Sequence, residues 1–143
     1  MRLFTIGYEG QTQPEVIDRL RTAGVQVLAD VRAIAASRKA GFSKTVLGES
    51  LKAAGIDYVH LRDLGTPKAG RDAAHKGRIA EMRAIYDAHL AEPAAVAALA
   101  RLETLARERR TALLCFEADA AGCHRSILAE RLQASDEFEV TNL

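Results

Sequence analysis

Apolar positions along the chain switch between two spacings, short β-rich runs and longer stretches with a helical period, in the alternating order of an α/β protein. The first run, Leu3-Phe-Thr-Ile6, ends at Gly7-Tyr8-Glu9-Gly10, and a helix follows from about Pro14 with Val16, Ile17 and Leu20 on one face. Gly24 is its stop signal. A second strand, Val25 to Ala29, runs into Asp30-Val31-Arg32, and the basic stretch up to Lys44 reads as loop until a helix starts near Ser43 and closes at Gly55. Ile56 to His60 is the third strand. Thr66 to Gly77, rich in glycine, proline and basic side chains, reads as a mobile loop. Helices are predicted over Ile79–Leu90 and Pro93–Arg110, the second with Val96, Leu99, Leu102 and Leu105 as an apolar stripe. The run Thr111 to Phe116 is a fully apolar fourth strand, Cys123 to Gln133 a last helix, and Phe138-Glu-Val140 a closing strand. The expectation is one α/β domain over residues 1–143, a mostly parallel sheet of four to five strands flanked by helices in a Rossmann-like three-layer arrangement.

Composition narrows the class without naming a partner. Apolar residues form 48% of the 143 positions and Asp, Glu, Lys and Arg 27%, which excludes disordered, collagen-like and coiled-coil chains. The formal net charge is +1, so any positive surface must arise from clustering. No secretory leader and no apolar run long enough for a membrane span is read from the sequence, so the expected compartment is the cytoplasm. In that setting Cys115 and Cys123 are not expected to form a disulfide; packing, metal binding or reactivity are the alternatives.

In open parallel sheets, ligands bind beyond the carboxyl ends of the strands. All four main strand ends carry ionisable groups: Tyr8 and Glu9, Asp30 and Arg32, His60 and Arg62, Cys115 and Glu117. Alternation puts Asp30 and Arg32 on one side of an extended chain, where they serve either a shared pocket or a structural ion pair. A carboxylate where a buried strand meets solvent has a tunable pKa, which suits Asp30 to act as a base or to stabilise a developing cation, with Glu117 as the second carboxylate of a glycosidic pair. Gly122 followed by Cys123-His124-Arg125 at a helix start resembles an anion cradle, with Arg125 as a bidentate fork. Cys123 there would gain thiolate character, while Cys115, inside an apolar strand, is expected to be inert. The three ligands Cys115, Cys123 and His124 match no standard zinc spacing, and no metal or cofactor is assigned. Arg38, Lys44, Arg62 and the basic residues of the 66–77 segment concentrate positive potential near the same ends, which favours a phosphate-bearing ligand. Aromatic residues are only 5%, so Tyr8, Phe42 and Tyr58 would hold one base at most.

Taken in order, Thr5-Ile-Gly-Tyr8, Asp30-Val-Arg32, Ser37-Arg38, Gly41-Phe-Ser-Lys44, Tyr58-Val-His60, Leu64-Gly65, Leu114-Cys-Phe-Glu117 and Cys123-His-Arg125 resemble the family described as domain of unknown function 488. The resemblance covers nearly the whole chain. It departs at Ala35, where the family pattern has proline, and at Thr66, where it has a second glycine, so the shapes of those two loops are open. Its recurring positions map onto Tyr8, Asp30, Arg32, Arg38, His60, Glu117, Cys123, His124 and Arg125.

The leading expectation is a hydrolase acting on a nucleotide or nucleic acid, DNA above all, by N-glycosidic cleavage of a modified or damaged base. Asp30, Glu117, Tyr8 and His60 would be catalytic, and Arg32, Arg38, Lys44, Arg62, Cys123, His124 and Arg125 would hold substrate or phosphate. The alternatives are a cysteine-dependent rhodanese-like or phosphatase-like transferase, although Cys115 lies ten positions before Arg125, and a non-catalytic nucleotide- or metal-binding module.

Overall fold

A computed structural model describes residues 1–134 and 137–143. Five strands, β1 (Arg2–Gly7), β2 (Val27–Asp30), β3 (Asp57–His60), β4 (Thr111–Cys115) and β5 (Glu139–Asn142), form one all-parallel sheet in the order β3-β2-β4-β1-β5. Helices α1 (Gln13–Thr22), α2 (Lys44–Ala53), α3 (Lys68–His75), α4 (Ile79–Leu90), α5 (Pro93–Glu108) and α6 (His124–Gln133) connect them.

Side chains alternate across the strands, and the sheet therefore divides the core in two. On one face Phe4, Ile6, Leu28, Ala112 and Leu114 pack against Val16 and Leu20 of α1 and Leu47 and Leu51 of α2. On the other, Leu3, Ala29 and Leu113 pack against α4 to α6 through Met82, Tyr86, Leu102 and Leu128. This is the expected three-layer α/β arrangement, and β2 and β4, buried along their whole length, are the uninterrupted apolar runs of the sequence. The local signals hold as well. Thr12 caps α1 in a full capping box with Glu15, Pro14 sits in its first turn, and Gly24 takes φ +74° beyond its end.

Two local expectations need correction. Residues 68–75 are helix α3, not a mobile loop; Ala73 is buried against the α4 side of the core, and that burial overrides the glycine and proline signals. Ser43 precedes α2 but does not cap it with its side chain; its Oγ instead bonds the backbone of Ser37 and braces the loop before the helix.

Candidate functional site

Because alternation assigns even-numbered residues of β2 to the α1/α2 face and Cys115 of β4 to the opposite one, the strand ends carry two separate polar clusters.

The first is built around Asp30, which is 0% exposed. Arg32 meets it in a two-pronged pair, Nε to Oδ1 at 2.8 Å and Nη2 to Oδ2 at 2.6 Å, while the Arg32 backbone N–H also donates to Oδ1. The Tyr58 hydroxyl donates to Oδ2 at 2.5 Å. Arg32 completes its bonds on the Tyr8 hydroxyl and the Phe42 carbonyl, and Tyr8 stacks on Phe42 with ring centroids 4.4 Å apart. Burial opposes the charge of Arg32, but its hydrogen bonds to Asp30 and that carboxylate's charge outweigh it and raise the guanidinium pKa above its ordinary value. Burial, then the bond to Asp30, likewise push the Tyr58 hydroxyl above the usual phenol range. Both Asp30 oxygens are thus occupied, and Asp30 lines none of the principal cavities.

The second cluster opens into a cleft of about 300 Å³. Cys115, Glu117, Cys123 and His124 reach it from the β4–α6 connection, Tyr8 and Arg32 from the other side, and Arg71 and His75 from α3, which forms a wall. Contrary to expectation, Cys115 and Cys123 are joined as a disulfide. Cys115 is not an isolated core thiol either. Arg125 Nη1 donates to its Sγ at 3.1 Å, and Glu117 Oε2 lies 3.3 Å from the same sulfur. Seven intervening residues, folded back through a short 3-10 turn at Ala120–Gly122 that Asp119 caps, bring the two sulfurs together, a proximity that spacing alone did not reveal.

Arg125, expected as a bidentate fork for phosphate, turns its guanidinium onto protein atoms instead. It is 0% exposed and spends its guanidinium on the Glu117 and Ala118 carbonyls as well as on Cys115, holding the β4–α6 connection in shape. Burial lowers its pKa, and the charges of Glu117 and Asp119 oppose that shift. Gly7 matters here for close approach, since a Cβ at that position would overlap the Glu117 carbonyl. His124, the other basic residue of that helix start, is buried at the cleft. Its Nε2 lies 2.6 Å from the Val31 carbonyl, which only accepts, so that nitrogen carries the proton and Nδ1, 3.7 Å from Cys123 Sγ, offers a lone pair. Burial first, then the neighbouring Arg125, lower the imidazole pKa to about 4 and leave the ring neutral at pH 7. Cys115, Cys123 and His124 are the group among the described residues with donor atoms close enough to share a metal ion, all within 4.8 Å.

The remaining predicted residues sit elsewhere. His60 bonds the Arg32 carbonyl at 2.8 Å and, with Lys44 and Arg62, lines a second depression that Arg101 of α5 completes. Arg38 is exposed on the loop before α2 and lines neither cavity. The strand ends therefore bring Tyr8, Arg32, Glu117, Cys123 and His124 to one cleft, leave Asp30 and Arg125 in its supports, and send His60, Lys44 and Arg62 to another face. The reading of the sequence missed Tyr58 as the partner of Asp30 and α3 as a cleft wall, and it expected Cys115 to be inert. For Tyr58 the signal was its position on the same face of the third strand as Asp30 on the second.

Fold and site define a parallel α/β protein with a cysteine pair at the floor of a cleft beyond the strand ends. Residues 12–132 match the family described as domain of unknown function DUF488, and the chain belongs to that family. No curated protein and no solved structure gives a match. Among the described residues, no helix is long and apolar enough to cross a membrane.

Proposed function

We propose that the protein is a cysteine-dependent transferase of rhodanese-like chemistry, taking a sulfur atom from a small anionic donor in the cleft. The observation that carries this reading is the pair Cys115–Cys123 at the cleft floor, with the Arg125 guanidinium bonded to one sulfur and His124 Nδ1 beside the other. The guanidinium donates a hydrogen bond to Cys115 Sγ, and the Glu117 carboxylate 3.3 Å from the same sulfur is placed to take the thiol proton. Arg71 of α3 faces the same space and attracts an anion, with the His75 ring beside it as a further polar group.

With thiosulfate as donor, reduced Cys115 forms a bond to the outer sulfur. The bond from that sulfur to its oxidised partner breaks, its electron pair leaves on sulfite, and Cys115 becomes a persulfide. Cys123 Sγ then attacks Cys115 Sγ, the Cys115–outer sulfur bond breaks, and the Cys123 proton leaves with the displaced sulfur as hydrosulfide. This leaves the disulfide that the structure contains, and an external dithiol restores both thiols by two-electron reduction. A second cysteine within bonding reach has a role in this sequence and none in phosphoryl transfer, which favours sulfur over phosphate. Base excision needs Asp30 to reach a sugar or a water, and both of its oxygens are spent on Arg32 and Tyr58.

The test is single-turnover reaction of the reduced protein with thiosulfate, measuring sulfite and sulfide. Wild type should release both, Cys123→Ser should release sulfite alone, and Cys115→Ser neither. Sulfite release no faster than in buffer, or equal from Cys115→Ser, ends the reading.

A further inference from the structure

Reduction of the cysteine pair leaves two thiols and one imidazole nitrogen converging on one point at the cleft floor, and the surroundings of that point are those of a metal site. We propose that the reduced protein binds one divalent cation of the zinc class through Cys115 Sγ, Cys123 Sγ and His124 Nδ1. The proposal shares its sulfurs with the sulfur-transfer reading but does not rest on it.

Four observations carry it. The donor set is two thiolates and an imidazole, the combination that zinc accepts in tetrahedral sites, and all three donor atoms lie within 4.8 Å of one another. The ligand histidine is already oriented: Nε2–H is held by the Val31 carbonyl at 2.6 Å, the outer contact that metal-bound imidazoles use to fix ring and tautomer, and Nδ1 is left facing the sulfurs. The backbone spacing fits a bridging ion. Cys115 and Cys123 have Cα atoms 7.4 Å apart, beyond the roughly 4.4–6.8 Å over which directly bonded cysteines usually sit. With Zn–S bonds of about 2.3 Å, two thiolates on one tetrahedral ion stand about 3.8 Å apart, a separation the side chains reach by rotation. Finally, the three residues line the cleft, so the fourth coordination position faces open space, with Glu117 Oε2 3.3 Å from Cys115 Sγ as the nearest carboxylate oxygen. The charges also balance: two thiolates neutralise the ion, and Arg125, already donating to Cys115 Sγ, keeps a hydrogen bond to a ligand sulfur. The irregular spacing, which matches no zinc ribbon or finger, follows because Cys115 comes from a strand end and the other two ligands from the start of α6.

The chemistry is stoichiometric. A phosphine cleaves the disulfide, takes its oxygen from water and leaves two thiols; cation binding then displaces two protons, one from each sulfur. The disulfide and the ion exclude each other, so oxidation expels the metal.

The experiment is an anaerobic titration of the phosphine-reduced full chain with Co(II), followed through thiolate-to-cobalt charge-transfer absorption and the visible bands of tetrahedral cobalt. One equivalent should saturate both signals, and Zn(II) should bleach them. The oxidised protein should give neither signal. Cys115→Ser and Cys123→Ser, which alter one atom each, should weaken binding about 100-fold or more, with circular dichroism confirming the fold. Absence of the charge-transfer band in the reduced wild type, or the same band in the Cys115→Ser/Cys123→Ser double variant, overturns the proposal. The two ideas separate cleanly. Sulfite release by metal-free reduced protein that binds no Co(II) leaves sulfur transfer standing and removes the metal; Co(II) binding without sulfite release does the opposite.

Discussion

Asp30 with Arg32, Tyr8 and Tyr58, and Cys115 with Cys123, His124 and Arg125, occupy the same end of one sheet on opposite faces, and both are buried. In the Asp30 cluster each carboxylate oxygen is bonded, the charge is paired in a two-pronged geometry, and the phenol that seals it is held protonated. In the cysteine cluster a histidine lone pair faces sulfur, one sulfur contacts both a guanidinium and a carboxylate, and the whole group borders a cleft. Burial alone therefore does not separate support from chemistry. A satisfied network holds the fold, and an incompletely satisfied one next to open space is where a ligand completes the bonding.

The largest expected effect breaks the satisfied cluster. Asp30→Asn leaves the buried Arg32 guanidinium without its counter-charge and should cost about 3–5 kcal/mol in denaturant unfolding, while sulfite release per folded, reduced molecule stays within a few-fold of wild type. Unchanged stability with release lost would exchange the roles assigned to the two clusters.

Next comes the pH response of the cysteine side. His124 titrates at about 4 in the folded oxidised protein and near 6.5 when unfolded, so the unfolded chain binds the extra proton between those values. The contribution is complete above pH 6.5 and lost as pH falls towards 4, for a total of about 3 kcal/mol. Urea midpoints of wild type and His124→Asn, measured over that window, should show the difference narrowing with acid; a difference independent of pH contradicts the assignment.

Tyr58→Phe removes one short bond to a charged oxygen and should cost about 2 kcal/mol by thermal or urea unfolding without altering the KM for thiosulfate. The smallest effect on stability belongs to the cleft wall. Arg71→Ala removes the guanidinium's bond to the Thr66 carbonyl and should cost about 1 kcal/mol of unfolding free energy, while raising the KM for thiosulfate about tenfold, equivalent to about 1.4 kcal/mol. An equal rise in KM from Tyr58→Phe would erase the contrast between the clusters.

How far the chain could be read in advance follows the range of the forces. Helices α1, α2, α4, α5 and α6 and every strand lie within a few residues of the positions predicted, because capping, periodicity and apolar runs act between near neighbours. The 66–77 segment shows the limit: glycine, proline and charge wrote a loop, and burial of Ala73 with the α3–α4 packing made a helix. The site divides similarly. That Asp30, Arg32 and Glu117 stand at or just beyond strand ends and Cys123 and His124 at the start of the last helix was legible, since topology places them there. Which were exposed was not, because exposure depends on Tyr58 from another strand and on α3 from a distant segment.

By itself the sequence determined the parallel α/β order, the strand termini that carry ionisable groups, and the pairing of Asp30 with Arg32 on one side of the chain, all consequences of side-chain alternation and short-range contacts. Only the tertiary structure decided that Asp30 is sealed, that Arg125 is a brace, and that Cys115 and Cys123 meet across an eight-residue separation beside a lone pair of His124. Those outcomes depend on how the β4–α6 connection folds back over the sheet and which face each strand end turns towards, and contacts between segments distant in sequence set both.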